Sequence, residues 1–142
     1  MKRHPALVPL SHDHHHALVE ARRLRRAAAA DSEARASASA AFLHFFASNT
    51  VPHFREEEES LFPLLLEGGA PPPELLVEAL LDHQRLHGLR ARLEREPEDA
   101  ATMVALADLL ERHVRLEERQ LFPLIEAAAS DAGLERATRR RG

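Results

Sequence analysis

The sequence has no cysteine, no tryptophan and no tyrosine. Without cysteine there can be no disulfide, no iron–sulfur cluster and no thiolate zinc site, so any metal must be held by nitrogen and oxygen. Aromatic residues make up only 4% of the chain, all of them phenylalanine. A core must therefore be built mainly from Leu, Ala and Val, a mix that favours helices over strands. No apolar run approaches the roughly 18 residues of a membrane span, and the opening MKRHPALVPLSHDHHH lacks the apolar stretch of a signal peptide. The expectation is a cytoplasmic protein with no membrane partner. A large positive excess is also missing: the net charge is −4, and the Arg pairs are interspersed with Glu except at Arg139, Arg140 and Arg141. That balance argues against a nucleic-acid partner.

What is present fits one domain spanning residues 1–142, long enough to bury roughly two-thirds of the surface its unfolded chain exposes. Punctuation divides it into four helical segments. The first is expected from near Ser11, after Pro9, through HALVEARRLRRAAAA. Asp31, Ser32 and Glu33 offer a cap for the second, which should run to about Leu66 with a kink at Pro52. GGAPPP, from Gly68 to Pro73, is a strong break before a third helix from Glu74 to about Arg95. Pro97, Glu98 and Asp99 mark the start of the fourth, Gly133 lies past its end, and residues 134–142 read as a flexible tail. Long helices with short connections predict an all-α fold, an up-down-up-down four-helix bundle.

An internal repeat carries the chemistry. HFREEEESLFPLL, from His53, and HVRLEERQLFPLI, from His113, share His, Arg, two Glu, Leu, Phe, Pro and Leu at a constant offset of sixty residues. Glu57 and Glu117 each follow their histidine by four residues, about 40° around a helix, so each pair shares one face. Glu58 and Glu118, at five, are expected to point away; Glu56, Glu58 and Glu59 read as solvated charge. A weaker correspondence aligns Asp13-His14 with Asp82-His83 and Leu24 with Leu93, and sets Leu18 against His87. His14 shares helical spacing with Leu7, Leu10, Ala17, Leu18, Ala21 and Leu24, so it is the inward member of SHDHHHAL. His12, His15 and His16 should flank it, and His44 should be exposed. His83 and His87 interrupt the apolar stripe of the third helix.

Packing the two halves around a pseudo-twofold axis would bring His14, His53, His83, His87 and His113 to one level with Glu57 and Glu117. Buried carboxylates among imidazoles would cost several kcal/mol uncompensated, and a metal pair compensates them. Seven donors exceed one tetrahedral zinc but suit two six-coordinate ions, iron or manganese rather than magnesium.

These residues resemble the hemerythrin-like, or HHE cation-binding, family, through the duplicated His-x-x-x-Glu followed by LFP, DHHHAL and DHQRLH, from about Leu10 to Ile125. The resemblance implies a four-helix bundle around two non-haem iron ions joined by an oxo or hydroxo group, with manganese and zinc ranked below iron. His83, His87 and His113 would hold one ion, His14 and His53 the other, and Glu57 and Glu117 would bridge them. The implied partner is a small ligand, dioxygen, nitric oxide or peroxide, bound or sensed at the ion with two histidines. The chain departs from the oxygen carriers in placing a Glu four residues after its last histidine, where they commonly have an Asp at five. Many relatives also lack a second histidine in the third helix, and without His87 the site would be more open and better suited to redox chemistry. The alternatives are therefore a di-iron redox enzyme acting on peroxide, nitric oxide or iron, and a metal-stabilised structural or regulatory module.

Overall fold

The structure is a computed structural model that describes residues 2–139. No strand occurs among the described residues, and helices account for nearly all of them. A 3₁₀ turn, Pro5–Leu7, leads into the first helix, Val8–Ala28. Pro9 lies in its first turn, where a missing N–H costs nothing, so the helix starts three residues ahead of the expected Ser11. Asp31 caps the second helix, its side chain accepting from the Ala34 N–H at 2.8 Å. This helix spans 32–61 and tightens into a 3₁₀ stretch, Phe62–Gly69, broken by extended Glu67 and by Gly68 at φ 79°. The third helix, Glu74–Arg95, matches the expectation from sequence. The fourth spans 100–128.

A fifth helix, Asp131–Thr138, corrects the expected flexible tail as far as Thr138. Ser130 caps it by accepting from the Gly133 N–H at 3.0 Å, so Gly133 belongs to its first turn. Leu134 and Ala137 are buried, and Leu134 packs with Leu7, Leu61 and Ile125 at one end of the bundle. Expected looseness at 140–142 falls outside the described residues. Short links between long helices set them antiparallel, with the first and third both packed on the fourth.

Three π-helical turns interrupt the second and fourth helices: Phe46–Thr50, Glu57–Leu61 and Glu117–Leu121. Each ends two residues before a proline, Pro52, Pro63 or Pro123. A proline inside a helix lacks an N–H, and its ring crowds the carbonyl four residues back. Widening the preceding turn relieves the crowding: the Phe62 and Phe122 N–H groups donate five residues back, to the carbonyls of Glu57 and Glu117. The kink expected at Pro52 is thus a π turn, and the other two π turns begin at the repeated glutamates.

Two apolar clusters fill the bundle. One gathers Leu24, Phe42, Phe46, Leu93, Met103 and Leu106, and the other Leu10, Leu61, Leu76, Leu121, Phe122 and Ile125. Leu10 in one and Ala17 in the other flank His14 on the first helix, so the buried polar layer lies between them. No described helix is long and apolar enough to cross a membrane.

Candidate metal centre

That polar layer consists of His14, His53, His83, His113, Glu57 and Glu117, each at most 4% exposed. Ordinary α-helical spacing places each repeated histidine over its glutamate: His53 Nε2 lies 3.1 Å from Glu57 Oε2, and His113 Nε2 lies 3.1 Å from Glu117 Oε2. The first and third helices add His14, with Nε2 2.8 Å from Glu117 Oε1, and His83, with Nε2 3.2 Å from Glu57 Oε1. Each carboxylate therefore divides its oxygens between two histidine pairs. Glu57 offers Oε2 to the His14/His53 side and Oε1 to His83, while Glu117 offers Oε1 to the first pair and Oε2 to His113. Two sets of four donors result, His14–His53–Glu57–Glu117 and His83–His113–Glu57–Glu117, with both glutamates common to the two.

The donor chemistry fits metal binding. Both Glu57 oxygens, Glu117 Oε2, His83 Nε2 and His113 Nε2 are buried without a hydrogen-bond partner, although imidazole and carboxylate atoms approach within about 3.2 Å. They are close to one another yet not aimed at one another, as ligands converging on a common point are. Left so, each such atom would cost about 1–3 kcal/mol, and more where it is charged. His14 Nε2 and His53 Nε2 also meet at 3.1 Å, two ring nitrogens competing for one position.

Each imidazole is held from behind by a carboxylate on Nδ1. Asp13 Oδ2 lies 2.9 Å from His53, Asp82 Oδ2 3.3 Å from His113, Glu118 Oε2 2.6 Å from His14, and Glu58 Oε2 2.6 Å from His83. Carboxylates so placed fix Nδ1 as the protonated nitrogen and turn Nε2 inward. Phe122 and Phe62 stack on His14 and His83 at ring separations of 5.2 and 5.9 Å, each with an interplanar angle of 24°. The pseudo-twofold thus extends beyond the inner donors to the outer carboxylates and to the phenylalanines of both LFP segments.

A match to a family model, described as the Hemerythrin HHE cation binding domain, covers residues 7–136. The chain belongs to this family. Comparison with curated proteins and with solved structures returned no match. The family's cation-binding character agrees with the buried His/Glu cluster, and both identify the layer as a metal-binding site.

Of the seven residues singled out in the sequence, the structure brings six of this hemerythrin-like chain together and leaves His87 apart. His87 is partly exposed and belongs to neither donor set. Phe54 occupies the intervening space, stacked on His83 at 3.7 Å and edge-on to His87 at 5.9 Å. Its repeat equivalent is the smaller Val114. In the first helix His14 is buried, whereas His12, His15 and His16 are exposed, as is His44.

Sequence reasoning missed the outer carboxylates. Glu58 and Glu118 do turn off the His–Glu face, but about 100° further round the helix they still reach the neighbouring helix while staying partly exposed to solvent. Their conservation between the two repeats was the available signal. Asp13 and Asp82 were equally visible as partners in the alignment of the first and third helices.

Burial alone would lower the histidine pKa values, but the carboxylates around them outweigh it. His83 is raised to about 10 by Glu117 and Glu57, and His113 to about 9 by Glu117 and Asp82. His14 and His53 are raised too, against the same desolvation, by Glu117 with Glu118 and by Glu57 with Asp13. Glu117 resists the upward pull of full burial and is held well below the usual carboxylate range, chiefly by the charge of His113. Without metal, protons do part of the neutralising that cations would do.

Proposed function

We propose that the chain holds two non-haem iron ions in this layer and binds or senses a small ligand, dioxygen or nitric oxide, there. The observation that carries this reading is the division of each glutamate's two oxygens between two histidine pairs, the arrangement required of bridging ligands. His14 and His53 would hold one ion and His83 and His113 the other, with Glu57 and Glu117 shared. Four protein donors per ion leave room for water or a small exogenous ligand on a six-coordinate metal. Four imidazoles with carboxylates suit iron or manganese better than magnesium, and the shared double carboxylate suits a metal pair better than a single structural zinc.

The chain also supplies a place for a ligand of that size. A cavity with about 20 Å³ for the centre of a water-sized molecule abuts His14, His53 and His113, walled by Ala17, Leu110 and Val114. Such a volume admits one water or one diatomic molecule. Bound iron would contribute Lewis acidity and electrons, while the apolar wall excludes bulk water and the outer carboxylates hold the imidazoles in place. Stopped-flow mixing of the reduced, iron-loaded protein with dioxygen or nitric oxide tests the reading. A rapid, saturable change in absorption is expected, and no spectral change with either gas contradicts it.

A second reading, redox turnover of peroxide or nitric oxide, is favoured by one observation, the exclusion of His87. Equal donor sets leave both ions open, where a third imidazole would have closed one of them. Steady-state consumption of either compound well above that of free iron supports turnover over reversible binding.

A further inference from the structure

The two halves of the centre match in their donors but differ in what holds the outer glutamates. Among the described residues, Glu58 makes one side-chain hydrogen bond, to His83. Glu118 is held on several sides. The Ser11 hydroxyl donates to it, 2.8 Å from Oε2 and 3.0 Å from Oε1, and Arg3 Nη2 donates to its carbonyl at 2.6 Å and to Oε1 at 3.3 Å. In the aligned half Leu80 stands where Ser11 does and offers no donor. The Arg3 guanidinium also lies over the Phe122 ring, 5.5 Å from its centroid. Phe122 and Glu118 are the two groups that grip the His14 ring from outside the donor cluster. Arg3 touches both.

The segment carrying Arg3 is itself anchored. Arg3 Nη1 donates to Glu126 Oε1 at 2.6 Å, the His4 N–H donates to Glu126 Oε2 at 2.6 Å, and the His4 ring meets Asp131 at 3.1 Å. Arg3 precedes residues 7–136, so it is a feature of this chain outside the family match.

We propose that Arg3 is a positioning residue for the metal centre, fixing His14 through Glu118 and Phe122. This inference rests on the metal-centre reading of the buried layer. A partly exposed glutamate samples several rotamers, and each one that leaves His14 frees that ring to turn. Occupying Oε1 and the backbone carbonyl from the solvent side holds the carboxylate with Oε2 turned to His14 and Ser11. Among the described residues the half carrying His83 has no such strap, so losing Arg3 should affect one ion and spare the other.

The test is an Arg3→Met variant, which keeps an apolar stem over Phe122 and removes the donors and the charge. Cobalt(II) titration followed by its visible spectrum reports the two binding steps, and solvent exchange of the His14 ring N–H in metal-free protein, by nitrogen-15 NMR, reports the ring itself. The expected result is weakening of one cobalt step by about tenfold, the lower end for loss of an outer partner. His14 exchange should quicken, the melting temperature should hold, and Arg3→Lys should restore part of the loss. Unchanged cobalt steps with unchanged exchange overturn the proposal, as does equal weakening of both steps with a lowered melting temperature, which would make Arg3 general support for the fold. If the wild-type chain takes up no cobalt, the metal-centre reading fails, while His14 exchange in the variant still decides the role of Arg3.

Discussion

Glu58 and His83 are joined by a 2.6 Å hydrogen bond from the outer ring nitrogen of a fully buried histidine to a glutamate that is itself 36% exposed. The bond links the second helix to the third and fixes which nitrogen of His83 faces the centre. It also separates Glu58 from its neighbour Glu59, whose contact is with Arg55 at 3.7 Å on the surface. Two adjacent members of an acidic run therefore have different roles.

Substitution should expose that difference. Glu58→Ala is expected to weaken metal binding by about 10- to 100-fold, the usual range for loss of an outer carboxylate, while Glu59→Ala should leave it unchanged. Competition against a chelator of known affinity measures both. Equal effects from the two variants would show that Glu58 acts only as general surface charge.

The helices and the inner donors were readable from the sequence because both depend on local periodicity. The sixty-residue offset between His53-Glu57 and His113-Glu117 works through i to i+4 spacing within single helices, and the structure keeps that spacing. The break at GGAPPP and the third helix were equally local. The solvated reading of Glu58 is corrected, and the role of Glu118 is not visible in the sequence, because their partners lie on other helices and spacing along one helix does not say what packs beside it. His87 recurs with His83 on one stripe and so reads as a donor, whereas the Phe54 ring, packed against both, lies between them. The fifth helix was hidden by Gly133, which reads as a terminator until Ser130 is seen to cap it.

The position of His87 leads to a direct expectation. His87→Ala should retain the full metal stoichiometry of the wild-type chain, whereas His83→Ala should lose at least one ion, as read by metal analysis after gel filtration. Loss of an ion from His87→Ala would mean that Phe54 moves aside and a third imidazole joins the His83/His113 side.

Acidity should act in opposite directions on the metal-free and metal-loaded protein. His83 and His113 are raised to about 10 and about 9 from 6.5, so their contribution to the stability of the metal-free fold is complete below pH 6.5 and is lost as pH rises through 9 to 10. Metal competes with those same protons, so affinity should rise with pH across that interval and binding should release protons. Glu117, held well below 4.5, contributes above that value and loses its contribution as pH falls. Thermal melts of both forms from pH 6 to 10 check the signs: the metal-free melting temperature should decline and the gap between the forms should widen. A metal-free form that gains stability over this range would show that the histidines are not held protonated.

Glu117→Ala removes an oxygen from each donor set at once, so it should abolish binding of the pair rather than of one ion. His14→Ala removes a donor from one set only and should leave an ion on the His83/His113 side. Isothermal titration with iron(II) under nitrogen distinguishes the two patterns. Identical losses in both variants would argue against a shared carboxylate.

Bridging of two ions by Glu57 and Glu117 is tested by Mössbauer spectroscopy of the iron-57-loaded, oxidised protein, with metal analysis of the same sample. Two irons per chain with a diamagnetic ground state at low temperature are expected, the signature of ferric ions coupled through shared ligands. A single iron per chain, or two irons that remain magnetically independent, would contradict it.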